Sequence, residues 1–177
     1  MSACARFHMP AMALLDTDGV YGAPRFHLAA KKIGIKAHIG AEVTAGSPRG
    51  KFRLPLLVAS RAGYQNLCRL ITKMKLRAKK GEGAVRKEEL EEHAQGLICL
   101  TGGVDGPLAA ALQHGGSEEA GRQVEQLIGI FGRDNVYIEL QRHFHREEET
   151  RNRAAIAIAR SLNLPLLATN GVCYAAA

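Results

Sequence analysis

Short apolar runs alternate with amphipathic stretches along most of this chain. The run at 12–15 is stopped by Asp16-Thr17-Asp18-Gly19, a composition that ends a strand and turns the chain. Past Gly22-Ala23-Pro24, the residues Phe26, Ala29, Ala30 and Ile33 recur at helical spacing, and Gly34 follows as a C-cap, which predicts a helix over 25–33. Residues 36–43 then read as a second strand. A βαβ crossover would set its C-terminal end, with Glu42, beside the Asp16 turn, so that Asp16, Asp18 and Glu42 converge. A Gly/Pro/Ser-rich turn at 45–51 joins it to a third strand at 52–59, and the pair reads as a hairpin.

Ser60-Arg61-Ala62-Gly63 opens a helix in which Tyr64, Leu67, Cys68, Ile71 and Met74 share one face. A short acidic helix at 87–93 and a strand at 97–101 ending in Gly102-Gly103 follow. Gly106-Pro107 starts a helix that runs through Leu112. Ser117-Glu118-Glu119 caps another, with Val124, Leu127, Ile128 and Phe131 on one side and Gly132 closing it. A strand at 136–140, an Arg/Glu-laced helix at 147–162 and a strand at 166–169 complete the pattern. Before all of these, residues 2–8 read as the end of a helix broken at Met9-Pro10.

Alternation of strand and helix implies an α/β architecture with a parallel sheet, either open and doubly wound or a barrel. The strand ends favour the barrel. Ligand-type residues follow the first strand (Asp16, Asp18), the second (Glu42), the fifth (His143, His145) and the sixth (Asn170, Cys173), and in a barrel such ends surround one mouth. The sequence has no glycine-rich phosphate cradle at a strand-to-helix junction, so no nucleotide or other small-molecule cofactor is expected.

Composition adds the partner. The chain has 177 residues, 46% hydrophobic and 23% charged, with a net charge of +7. These are ordinary globular proportions with a basic balance that suits nucleic acid. The cations concentrate at Lys73, Lys75, Arg77, Lys79, Lys80, Arg86 and Lys87, around a Gly-Glu-Gly break, and this stretch is the expected contact with DNA phosphates. The plain alternative is a solvated loop beside a cationic helix end. No aromatic residue interleaves with these cations, which argues against a stacking platform for single strands. Four separated cysteines exclude a disulfide framework and a zinc finger, and no run has the length of a membrane span. A cytoplasmic location is expected, with no membrane partner.

The stretches LLDTDGVYGAPRFHLAAKKIGIKAHIGAEVT, GYQNLCRLITKMK, LICLTGGVDGPLA, NVYIELQRH and LPLLATNGVCY, in this order and at these intervals, carry a resemblance. The chain resembles the polymerase-and-histidinol-phosphatase (PHP) domain of bacterial C-family DNA polymerases, the DNA polymerase III alpha-type subunits, and within them the error-prone enzymes of damage-associated synthesis. The resemblance implies a distorted β/α barrel, with residues 1–177 forming a single PHP domain whose first strand, carrying H-x-H, lies upstream. The palm, thumb and fingers of the polymerase would be its partners. It also implies a damaged metal site. Thr17 occupies a position where an imidazole would bind metal; Glu42 and His143 match two ligands; Gly103 stands where some members have Cys; Gly171 and Cys173 stand where metal-binding members have Asp-x-His. A residual site of Glu42, His143 and Cys173 would take zinc or manganese, but falls short of the four well-placed ligands that a stable site needs, so no metal is expected. No catalytic residue is singled out. A scaffold role in an error-prone polymerase is the leading expectation, and a stand-alone metal-dependent phosphoesterase or 3′ to 5′ exonuclease, using metal-generated hydroxide, is the alternative.

Overall fold

A computed structural model describes residues 2–47, 50–79 and 81–172. Its elements are α1 (Ser2–Arg6), β1 (Ala11–Thr17), α2 (Ala23–Ile33), β2 (Lys36–Ser47), β3 (Gly50–Val58), α3 (Arg61–Arg77), α4 (Lys87–His93), β4 (Leu97–Leu100), α5 (Pro107–Phe131), β5 (Val136–Gln141), α6 (Arg146–Leu162) and β6 (Leu166–Thr169). The local signals act as expected. Gly34 closes α2 in the left-handed conformation, its N–H directed to the carbonyls of Ala30 and Lys31, and the Ser60 hydroxyl accepts the Gly63 N–H at 3.1 Å to start α3. The two helices predicted on either side of Ser117 are both present; they adjoin within α5 and are separated by a kink at Gly115 and Gly116, where φ of Gly116 is 67°.

The six strands lie in chain order, β1 to β6. The hairpin expected between the second and third strands is present within an otherwise parallel sheet: β1 with β2, β4 with β5 and β5 with β6 are parallel, and β3 is antiparallel to both its neighbours. Two connections explain this. β2 and β3 are joined by a hairpin, too short for a crossover, and its ladder runs out to the Ser47–Gly50 pair, so most of the predicted 45–51 turn is strand. Between β3 and β4 the chain makes two helices rather than one, so it returns in the opposite sense. The outcome is that the C-terminal ends of β1, β2, β4, β5 and β6 share one rim with the N-terminal end of β3.

Side chains alternate across each strand. Ala41, Val43 and Ala45 of β2, Leu54 and Leu56 of β3, and Val136 and Ile138 of β5 are buried in one core with Leu67, Leu70 and Met74 of α3 and Val124 and Leu127 of α5. The helices therefore cover one face of the sheet. Glu42, Thr44, Arg53, Glu139 and Gln141 have the opposite parity and belong to the other face. That face is concave. Asp18, just past the end of β1, reaches the Arg53 guanidinium of β3, two strands away, at 2.9 Å. Cys4 and Cys99 are buried free thiols and Cys68 is half-buried. His93 is buried, with Nδ1 2.9 Å from the Glu89 carbonyl.

Candidate functional site

The concave face gathers residues from five strands. Asp16 and Asp18 reach it from the end of β1, where the Asp18 N–H donates to the Glu42 carbonyl at 2.9 Å. The convergence predicted for Asp16, Asp18 and Glu42 holds for the backbone, but the carboxylates go separate ways. Asp16 accepts the Gly22 N–H at 2.7 Å and so fixes the entry to α2. Asp18 accepts the Thr44 N–H at 2.6 Å, the Thr44 hydroxyl at 2.7 Å and the Arg53 guanidinium at 2.9 Å. With φ of 50°, it ties β1 to both strands of the hairpin. Both carboxylates hold the scaffold.

Glu42 is half-buried. Burial first, then the Glu139 charge and that of Asp105, push its carboxyl above the usual carboxylate range, and Arg53 offsets part of this. Glu139 was not among the residues singled out from the sequence, because it sits in an otherwise apolar strand, VYIEL, where one acid reads as a solvent-facing alternate. In the fold it is central. Its Oε1 accepts from Gln141 Nε2 at 3.0 Å and from the Thr169 hydroxyl, its backbone N–H donates to the Thr101 hydroxyl at 2.9 Å, and its Oε2 is buried with no hydrogen-bond partner among the described residues.

Gln141 occupies the space between two glycines. A Cβ on Gly103 would stand 2.3 Å from Gln141 Oε1, and a Cβ on Gly171 would stand 3.5 Å from its Nε2. Gly103 and Gly171 are two of the positions at which the resemblance implies metal ligands. A neutral amide, bonded to Glu139, fills the space between them.

His143 is clamped. Its Nδ1 lies 2.7 Å from Glu148 Oε1 and its Nε2 lies 2.9 Å from the Asn170 carbonyl. A carbonyl only accepts, so Nε2 donates; with Nδ1 donating to a carboxylate, the ring is an imidazolium. The Asn170 carbonyl, then Glu148, raise the His143 pKa; the His143 imidazole, with the backbone N–H groups of His143 and His145, draws Glu148 down to about 2. Neither ring nitrogen has a lone pair left for a metal. Thr17 is exposed on β1 opposite Glu42, and Cys173 lies outside the described residues. Among the described residues no three His, Cys, Asp or Glu side chains are grouped so as to hold a metal ion. Among the described residues, the arrangement of Glu42 and His143 does not fit the metal that the resemblance implies.

The basic stretch divides. Lys73 pairs with Glu92 at 2.5 Å, Lys87 with Glu91 at 3.6 Å, and Arg77 with Glu89 while also donating to the Ala84 carbonyl at 2.6 Å. Lys73 and Arg77 thereby dock α4 on α3, while the Lys87–Glu91 pair lies within α4. Arg86 gives its backbone N–H to Glu89 at 2.9 Å, which starts α4. The side chains of Lys75, Lys79 and Arg86 have no carboxylate partner among the described residues, and Lys80 lies outside them. Lys75 instead lies over the Tyr21 ring, 4.7 Å from its centroid, and donates to the Tyr21 hydroxyl. No helix among the described residues is long and apolar enough to cross a membrane.

Comparison with known proteins gives a consistent picture. Residues 1–143 match the family model described as PHP domain. The chain is 36% identical over 174 residues to the DNA polymerase III subunit alpha of Vibrio cholerae, a match that spans 96% of this chain and 15% of that protein. It is 35% identical over 181 residues to the error-prone DNA polymerase of Mycolicibacterium paratuberculosis, spanning 97% and 16%. With the DNA polymerase III subunit alpha of Thermus aquaticus it shares 32% identity over 177 residues, spanning 93% and 14%. Among solved structures, a Bifidobacterium adolescentis protein described as a "putative metal-dependent phosphoesterase" has the same fold, with a TM-score of 0.52 at 14% identity, covering 99% of this chain and 80% of that one.

Proposed function

The chain belongs to the PHP domain family, and from that membership we propose that it is the PHP portion of a bacterial DNA polymerase of the error-prone type, serving as a scaffold beside the polymerase's other domains and hydrolysing no phosphoester itself. Residues 1–177 act in this reading as one domain, at work in the cytoplasm. Its contact with DNA is weak and made through phosphates, by the cations that α4 leaves unpaired: Lys75, Lys79 and Arg86.

One observation carries the scaffold role. The Gln141 amide lies between Gly103 and Gly171 and bonds to Glu139, so a neutral side chain fills the space between two positions where a phosphoesterase would carry metal ligands. A residual site of Glu42, His143 and Cys173 would first have to free the His143 ring from Glu148 or Asn170. Metal analysis of the purified chain, with a phosphodiesterase assay on nucleotides and on single-stranded 3′ ends, tests the proposal. The expected result is no stoichiometric zinc or manganese and no hydrolysis. More than one tightly held ion per chain, with hydrolysis lost on Glu42→Ala, would overturn it in favour of an independent phosphoesterase.

A further inference from the structure

Two cavities of about 460 and 440 Å³ adjoin at Asp18 and Gly81, which line both. The first is walled by Tyr21, Met74, Lys75 and Lys79, the second by Lys51, Phe52, Arg53 and His114. Together they form a cleft from the start of α2, past the end of α3, to the N-terminal end of β3. Four cations line it against two carboxylates, Asp18 and Asp105, and Asp18 is already bound to Arg53. The balance is positive.

The aromatic component comes from a distant part of the chain. Tyr21 is 69% exposed, and its ring rests against Gly19, where a Cβ would stand 2.2 Å from Cε2. It is therefore a large, exposed, positioned ring, held beside a lysine 54 residues further along. The cations without an interleaved aromatic, which argued from sequence against a stacking platform, acquire one in the fold.

We propose that this cleft binds single-stranded nucleic acid, with a base stacked on Tyr21 and the flanking phosphates held by Lys75, Lys79 and Lys51. An aromatic face beside a positive groove is the chemistry that single strands take and that a stacked duplex cannot enter. The Lys75 ammonium, on its flexible stem, exchanges the Tyr21 ring for a phosphate when the base arrives. The inference rests on the proposed contact with nucleic acid and specifies its form.

Fluorescence anisotropy of the full chain with a labelled oligothymidylate of roughly 12 nucleotides, and with a duplex of equal length, tests it at low salt. The single strand is expected to bind more tightly; Tyr21→Ala should weaken it about tenfold and Tyr21→Phe should restore it. Lys75→Gln with Lys79→Gln should flatten the salt dependence, while Lys73→Gln, outside the cleft, should leave binding unchanged. Equal binding of duplex and single strand, unmoved by Tyr21→Ala, overturns the stacking cleft and leaves the backbone contact standing. Absence of binding to either overturns both.

Discussion

The Gln141 side chain and Gly103 exclude one another: Gln141 Oε1 lies 2.3 Å from where a Cβ on Gly103 would stand, while Gln141 Nε2 is bonded to Glu139. The atom in the way is the end of a flexible side chain, so it can move, but moving it breaks the bond to a buried carboxylate. Gly103→Ala is therefore expected to cost about 1 to 3 kcal/mol, the range for losing a hydrogen bond to a charged group. Gln141→Ala should cost a similar amount. Because both changes remove the same bond, the double variant should be no less stable than either single one, and chemical denaturation of the four proteins measures this directly. Additive losses would mean that Gly103 and Gln141 are independent.

The His143–Glu148 pair should give stability a defined pH window. The His143 pKa is raised, so its contribution is complete below the ordinary value of 6.5 and is lost as pH rises through the raised value. Glu148 is drawn down to about 2 from an ordinary 4.5, so its contribution is complete above 4.5 and fades as pH falls toward 2. Both are complete only between 4.5 and 6.5. The melting-temperature difference between the parent and His143→Ala should be largest there and shrink on the alkaline side. A difference that does not change with pH would mean that the imidazolium does not matter.

Glu42 should behave in the opposite sense to Glu148. Its pKa is raised, first by burial and then by Glu139, so the folded chain binds more protons than the unfolded one just above the ordinary value of 4.5. Stability then falls as pH rises through that range, and the ionised carboxylate is a liability at neutral pH. Glu42→Gln should raise the melting temperature at pH 7, with the gain disappearing below pH 4.5. A lowered melting temperature would show that Arg53 outweighs burial and Glu139 together.

Much of the fold was legible because it rests on local chemistry. The Asp16–Gly19 stop, the Gly34 cap, the Ser60 cap and the Ser117 cap each act within a few residues, and short apolar runs marked the strands. The reversal of β3 was legible in part, through the hairpin read at its start; its antiparallel pairing with β4 depends on how two helices pack together. The site was legible only as a set of positions. Which atoms meet depends on the curl of the sheet, and this is why Glu139 and Gln141, unremarkable within VYIELQ, proved central while Asp16 and Asp18 became turn supports. Tyr21 and Lys75 meet across 54 residues, a distance at which no periodicity speaks.

The cations of the basic stretch also differ in their expected contributions to stability. Arg77 binds Glu89, a carboxylate whose side chain is only 7% exposed; burial works to raise its pKa, but the Arg86 amide and the Arg77 guanidinium together hold it below the ordinary value. Removing the guanidinium leaves a buried charge with one backbone partner, so Arg77→Ala should cost about 1 to 3 kcal/mol, discounted from a fully buried pair because Arg77 is 28% exposed. Lys87 and Glu91, 61% and 50% exposed, form a surface pair, and Lys87→Ala should change stability by less than about 0.5 kcal/mol. Denaturant titrations of the two variants decide the point. Equal losses would place Lys87 in the docking of α4 as firmly as Arg77, whereas a loss confined to Arg77→Ala identifies that cation as a structural tie between α3 and α4.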